Sequence, residues 1–377
     1  MKNSIFSFID HTLPSWLEYS DSTSSTVLTS RVRFARNLSG FPFPGKATTN
    51  ELNDILKMIT LAINKEPVLT QLFADTESIP LEKITPLQAE FLLERHLISP
   101  DFVQRLFKKK ENKFPNSLGR AVFINHTETI SLMVNEEDHL RFQVIAPGFN
   151  FANGLKILNE LDESLEAVLQ FAFSPRYGFL TVCPSNVGTG LRASILIHLP
   201  GLVLTKEIEK VLRAIWQIGY MVRGFYGEGT QTRGHFFQIS NTVCLGQSEP
   251  EIIEGIEKVT NQLVGHEEKA RNYLLTNTKS EIEDKIFRAH AVLNSARLIT
   301  SEESLNLLAT VRLGVAMKII PDISINAVNK IMLLLRPANL QVFYNQEMSP
   351  RDRDEKRASL IRQLLTEASE QPNKPSQ

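Results

Sequence analysis

Apolar positions follow two different periods along the chain. From about residue 119 to 246 they gather in short runs, 121–125, 130–134, 141–145, 178–182, 192–199, 221–225 and 236–240, each bounded by polar or turn-forming residues, which predicts strands. Elsewhere the spacing is helical. Leu52, Ile55, Leu56, Ile59 and Ile63 mark a helix over about 48–66, and shorter helices are predicted over 86–97 and 100–109. Within the strand-rich region, Leu155, Leu158, Leu161, Leu165, Val168 and Leu169 predict a helix over 151–170, and another fits 205–218. After about residue 250 the pattern is helical throughout: Thr300-x-x-Glu303 reads as a capping box, Ser349-Pro350 as an N-cap followed by Pro, and Ala358, Ile361, Leu364, Leu365 and Ala368 share one face of the last helix. The strands come in neighbouring pairs, so an α+β fold is expected, with an antiparallel β-sheet flanked by helices and an all-helical C-terminal domain. The expected division is an N-terminal arm over 1–26, a main domain over 27–255 and a helical domain over 256–377.

One segment breaks the strand pattern. Asn135-Glu136-Glu137-Asp138-His139-Leu140-Arg141 sets three adjacent carboxylates between the apolar runs Ile130–Val134 and Phe142–Ile145. Alternating faces should turn at least one carboxylate toward the apolar side. A buried carboxylate is costly unless a cation pairs with it. The fold must therefore supply cations there, or the site must receive one as substrate.

Composition narrows the classes. The chain has 377 residues, 42% apolar and 22% charged, ordinary for a globular protein with room for two domains. A net charge of −1 argues against general nucleic-acid binding, so an anion site must be a local cluster of cations. Two cysteines, Cys183 and Cys244, make neither a disulfide framework nor a Cys-rich zinc site, and reduced thiols in a cytoplasmic protein are the simplest reading. No signal segment and no apolar run long enough to span a membrane is evident. Neither a P-loop nor a Rossmann glycine pattern occurs, nor H-E-x-x-H, and no metal-ligating set is expected.

What remains is a distributed set. Arg31, Arg33 and Arg36 cluster; Arg141 follows the acidic run; Arg192 follows Cys183-Pro-Ser-Asn-Val-Gly-Thr-Gly190; Arg223 precedes Gly224 and Tyr226-Gly-Glu228-Gly. Guanidinium groups are preferred partners of phosphates. Taken alone, Arg31, Arg33 and Arg36 read first as a solvated strand face.

The stretches SRVRFARN (30–37), NEEDHLR (135–141), CPSNVGTGLRAS (183–194), VRGFYGEGT (222–230) and ISNTVCLGQSE (239–249) together resemble the phosphagen (guanidino) kinase family. Within it the chain looks most like the bacterial protein-arginine kinases of the McsB type, which lack the N-terminal helical domain of the small-molecule enzymes. The resemblance implies that Arg31, Arg33, Arg141, Arg192 and Arg223 grip the phosphates of ATP, with His96 on the nucleotide side and Mg²⁺ as the metal of the substrate. It implies that Glu137 and Glu228 clamp a substrate guanidinium, with Cys183 beside it, and leaves Cys183 as either a substrate contact or a small buried residue. Cys244 reads as strand packing. Arg353, Asp354 and Arg357 fit the R-D-x-x-R-A pattern associated with a second, phosphoarginine-binding pocket; a solvated, salt-bridged helix face is the competing reading. The implied reaction is phosphorylation of arginines exposed on proteins, in a bacterial cytoplasmic stress and quality-control setting, with a zinc-binding activator protein, a Clp ATPase and a homodimer as partners. A kinase of free arginine or another small guanidine, and a non-catalytic phosphoarginine-binding adaptor, are the alternatives. Gln231, Tyr226 and Leu196 depart from the family pattern and bear on small-molecule specificity.

The chemistry supports these roles independently. A guanidinium is protonated at neutral pH, so it must be oriented by carboxylates and lose a proton before it attacks. A γ-phosphoryl group needs alignment and charge neutralisation more than covalent help. A cysteine among arginines favours the thiolate, a further anion beside the guanidinium.

Overall fold

A computed structural model describes residues 13–18, 25–74, 78–106, 118–224 and 234–370. Glu228, Tyr226 and Gln231 lie outside the described residues, as do the first twelve residues of the predicted arm.

The first strand, β1 (Val27–Arg36), is followed by helices α1 (Thr49–Lys65) and α2 (Pro67–Leu72), the short strand β2 (Ile79–Pro80), and helices α3 (Pro86–Glu94) and α4 (Pro100–Leu106). Then come β3 (Ala121–Ile124), β4 (Ile130–Val134), β5 (Leu140–Pro147), α5 (Phe151–Glu166), the two-residue strands β6 (Phe173–Ser174) and β7 (Gly178–Phe179), and β8 (Leu191–His198). Helices α6 (Pro200–Leu204) and α7 (Ile208–Gln217) lead to β9 (Tyr220–Gly224) and β10 (Phe236–Asn241). Six helices complete the described residues: α8 (Glu249–Asn277), α9 (Lys279–Ser295), α10 (Ser301–Ala316), α11 (Ile325–Leu334), α12 (Pro337–Phe343) and α13 (Pro350–Glu370).

Eight strands hydrogen-bond in the order β2-β3-β4-β5-β1-β8-β10-β9, and the pairs β2–β3, β3–β4, β4–β5 and β5–β1 are antiparallel, as expected. The strand predicted over 178–182 is only β7, paired with β6 in a small separate hairpin. Register fixes which side chains share a face. Arg31 lies opposite Ile145, Arg33 opposite Gln143 and Ala35 opposite Arg141. Because side chains alternate, Arg31, Arg33, Arg141 and Gln143 lie on one face. Val32, Phe34, Phe142 and Val144 lie on the other and are buried. Gly154 of α5 sits against this apolar face, where an added Cβ would lie 3.3 Å from Val32.

By compactness the chain forms two units. One comprises Met1–Trp16, Thr29–Ser194 and Ser240–Glu257; the other comprises Leu17–Leu28, Ile195–Ile239 and Lys258–Gln377. The second has its own apolar core, where Ile286, Leu308, Val328, Leu340 and Ile361 are buried together with Leu196 and Phe236. Thr300 and Ser349 cap their helices as predicted, accepting from the backbone N–H of Glu303 and Asp352.

Candidate active site

The acidic run forms the turn between β4 and β5, closed by the Asn135 N–H donating to the His139 carbonyl at 2.9 Å. Asn135 sits in the left-handed region at φ 57°, where Asn is better tolerated than most residues. Its side-chain amide donates to the carbonyls of Leu52 and Gly119.

The three carboxylates then diverge. Glu136 is fully buried; it accepts from Arg141 at 2.8 Å and from the Ser99 hydroxyl at 2.8 Å. Burial pushes its pKa up, but the charge and hydrogen bond of Arg141, with bonds from Ser99 and a backbone amide, hold it below the ordinary carboxylate value. Asp138 is also buried. Its Oδ1 accepts from Asn37 Nδ2 at 2.6 Å and from the Val182 N–H at 2.7 Å. Burial raises its pKa against those two bonds. Glu137, between them, is half-buried. Asp138 thus ties the residue after Glu137 to the residue before Cys183, and the two candidate substrate-side groups flank one hydrogen bond. Cys183 is half-buried, its Sγ 3.0 Å from the Ser185 hydroxyl. Cys244 is buried and its thiol donates to the Leu191 carbonyl at 2.8 Å, in keeping with a packing role.

His139 is a strut. Its Nδ1 accepts from the Leu38 N–H at 3.0 Å while Nε2 lies 3.0 Å from the Pro42 carbonyl, which assigns the proton to Nε2. Burial keeps its pKa below the usual histidine value.

Four of the five candidate phosphate arginines act on one another. Burial, with the charges of Arg141, Arg31 and Arg192, drives the Arg33 guanidinium well below an arginine's ordinary pKa, and Glu136 opposes them. A guanidinium stays protonated at neutral pH, so the crowding is held as repulsion that a polyanion would relieve. Serine hydroxyls line the same region: Arg31 reaches the Ser194 hydroxyl at 3.5 Å and Arg192 that of Ser240 at 3.1 Å. His96 joins through its backbone, its carbonyl accepting from Gln143 Nε2 at 2.5 Å, while its ring lies 5.9 Å from that of Trp16. Arg223 lies on β9 in the second unit and is exposed. Among the described residues no three His, Cys, Asp or Glu side chains gather as a metal site.

Arg36 departs from its two sequence neighbours. It faces the other side of β1, fully buried, in a two-pronged pair with Asp162 (2.7 and 3.0 Å) and stacked 3.6 Å from the Phe179 ring centroid. Its Nη1 donates to the Thr189 carbonyl at 2.8 Å, pinning the loop that ends in Arg192. Gly190 makes this approach feasible: at φ 69°, a Cβ there would lie 2.5 Å from Arg36 Nη1 and 2.7 Å from the Ala35 carbonyl. Sequence reading clustered Arg36 with Arg31 and Arg33 and missed its separate role; the odd spacing from Arg31 and Arg33 was the available signal.

At the start of α13, Arg357 is buried and donates to the carbonyls of Leu335 and Ile299 and to Asp354 at 2.5 Å. Arg353 is half-buried, with one N–H on the Met348 carbonyl at 3.3 Å.

The family description "ATP:guanido phosphotransferase, C-terminal catalytic domain" matches residues 57–270, and "Protein-arginine kinase McsB C-terminal domain" matches 279–376. A protein-arginine kinase of Pelotomaculum thermopropionicum is 42% identical over 348 residues, 92% of this chain and 94% of that protein. One of Bacillus velezensis is 39% identical over 360 residues, 95% of each. Among solved structures, lombricine kinase matches with a TM-score of 0.51 at 25% identity over 68% of this chain and 71% of that one. The substrate-free duplicated taurocyamine kinase of Schistosoma mansoni matches with a TM-score of 0.54 at 26% identity over 70% and 37%. With its crowded arginine face, its Glu137–Asp138–Cys183 seam and both descriptions matched in order, the chain belongs to the ATP:guanido phosphotransferase family, in the branch that carries the protein-arginine kinase C-terminal domain.

Proposed function

We propose that this enzyme transfers the γ-phosphoryl group of ATP to arginine side chains of proteins. The observation that carries the reading is the arginine crowding around Arg33, next to a turn whose Glu136 is committed to Arg141 while Glu137 is not buried. Arg31, Arg33, Arg141, Arg192 and Arg223 hold the phosphates and neutralise the charge that spreads over the transferred group. Mg²⁺ enters with the nucleotide, held by phosphates and water, and adds charge neutralisation. Glu137 accepts the proton of the attacking guanidinium, Glu228 orients it and Cys183 lies beside it. His96 contacts the nucleotide side.

The same reading assigns a second, phosphoarginine-binding site to Arg353, Asp354 and Arg357. It assigns dimer formation to the helical region 256–377, which sedimentation of the full chain tests. A zinc-binding activator and a Clp ATPase that reads the mark are its partners in a bacterial cytoplasmic stress response.

Incubation with Mg-ATP, a protein mixture and free arginine tests the activity. Acid-labile phosphate is expected on protein. Label on free arginine alone favours a small-guanidine kinase, and no label with retained phosphopeptide binding favours an adaptor. Glu137→Gln should lower the rate by about 10²–10⁴-fold, as loss of a general base does; full activity in that variant overturns its role.

A further inference from the structure

The second unit contains a cavity of about 810 Å³ that the phosphotransfer chemistry does not use. One wall is α7 together with the residue that caps its end: Val211, Ala214, Ile215 and Ile218 all line it. Their i, i+3, i+4, i+7 spacing puts them on one helical face. Of these only Ile215 is buried, and Ile218 keeps 58% of its surface exposed. The facing wall is α8, where Val259, Leu263 and Ala270 form a buried base on one stripe and Tyr273 stands at the rim. Tyr273 is also 58% exposed. The floor is Leu202 of α6.

The floor is held in place from α8. Beside the stripe on α8, the buried Glu267 carboxylate accepts the N–H groups of Gly201 and Leu202 at 2.8 and 3.0 Å, and Arg271 holds that carboxylate at 2.7 Å. Helix α6 is therefore held onto α8 by these two backbone hydrogen bonds, to a carboxylate whose charge Arg271 of the same helix balances. The floor of the cavity is thus fixed against α8.

Its shape and charge say what it takes. From Val259 to Tyr273 the stripe on α8 covers about 21 Å at 1.5 Å per residue, the length of a four-turn helix. A partly exposed apolar stripe on α7 beside the buried apolar base of α8 has the form of the receiving half of a helix-in-groove contact. Among the described residues the charged rim is Lys210 and Lys269 against one carboxylate, Glu207, and all three are exposed. We propose that the α7–α8 trough is a docking site for an amphipathic helix of a protein partner, with Leu- or Ile-type side chains along its buried face and acidic residues along its flanks. The trough goes beyond the phosphotransfer reading and does not depend on it.

Full-length protein and three labelled synthetic peptides of four turns test this: a Leu/Glu amphipathic helix, its Leu/Lys counterpart, and the Leu/Glu composition scrambled to destroy the apolar face. Saturable binding of the first is expected, at least about tenfold tighter than either control. Ala214→Trp, at an exposed position that should not disturb folding, fills the trough and should abolish binding with the melting temperature unchanged. Lys210→Glu/Lys269→Glu should reverse the preference between the acidic and basic peptides. Equal affinity for all three peptides, or binding that survives Ala214→Trp, overturns the proposal. So does dodecanoate binding in the trough while the peptide does not, which marks a small-amphiphile site, or self-association that Ile218→Asp abolishes, which marks a contact between copies.

Discussion

Asp138 shows how a residue beside the chemistry works through others. Both of its described hydrogen bonds converge on Oδ1, from Asn37 at the end of β1 and from the backbone before Cys183. An asparagine keeps that acceptor and drops a buried charge; an alanine drops both. Asp138→Ala should cost about 1–3 kcal/mol for the donors it strands and about 10²-fold in kcat through misplacement of Glu137 and Cys183. Asp138→Asn should keep most of the activity. If Asn is as damaging as Ala in steady-state assays, the charge itself takes part and the positioning role fails. The acidic run was legible in the sequence, with its need for a cation, and Arg141 supplies one for Glu136. The role of Asp138 was not, because its partners stand 101 and 44 residues away and a hydrogen bond at that separation leaves no local pattern.

Secondary-structure elements decide what an arginine is for. On β1, alternation sends Arg33 toward the other guanidiniums and Arg36 into an apolar layer against Asp162 and Phe179. The helices and most strands were readable because their apolar periods are strong. Strand β1 was harder, since polar side chains alternate with its apolar ones as they would on a solvated edge, and the two-residue β6 and β7 carry no period at all. Helix α13 repeats the division of labour. Arg357 bonds the carbonyls of Ile299 and Leu335 together with Asp354, whereas Arg353 is half-buried one turn earlier. Arg357→Ala should therefore destabilise the second unit by about 3 kcal/mol, the scale of a broken buried pair. Arg353→Ala should shift stability by less than about 1 kcal/mol yet weaken a phosphoarginine peptide at least about tenfold, since a charge-assisted bond is lost. Calorimetric titration of that peptide decides it: unchanged affinity in Arg353→Ala removes the second site from the proposal.

At the scale of the whole molecule, compactness does not follow one cut in the chain, because β1, β8 and β10 each contribute residues to both units. Two buried histidines, one in each unit, report on this division through pH. His139 accepts an N–H at Nδ1. His198 accepts from Arg312 at 2.9 Å and stacks 4.4 Å from Phe236. A proton on either Nδ1 would face a donor. Burial lowers the pKa of both, and for His198 the charges of Arg312, Arg271 and His235 drive it well below the usual value. The folded state thus stays neutral where the unfolded chain, with a histidine pKa of about 6.5, binds protons. Stability contributed by the neutral rings is complete above that value and is lost as pH falls through it toward the folded pKa. For His198, the more strongly shifted of the two, this loss is the larger as pH falls below about 6.5. Asp138, Asp162, Glu128 and Glu267, whose pKa values burial raises, act in the opposite direction as they take up protons on acidification. The histidine share is therefore read as a difference. In urea melts between pH 7 and 5, His198→Asn, which keeps an acceptor for Arg312 in its Oδ1, should flatten the pH dependence relative to the parent chain, and His139→Asn should flatten it by less. Parallel curves for parent and His198→Asn would mean that the ring is charged within the fold and that the Arg312 contact is not the neutral hydrogen bond described.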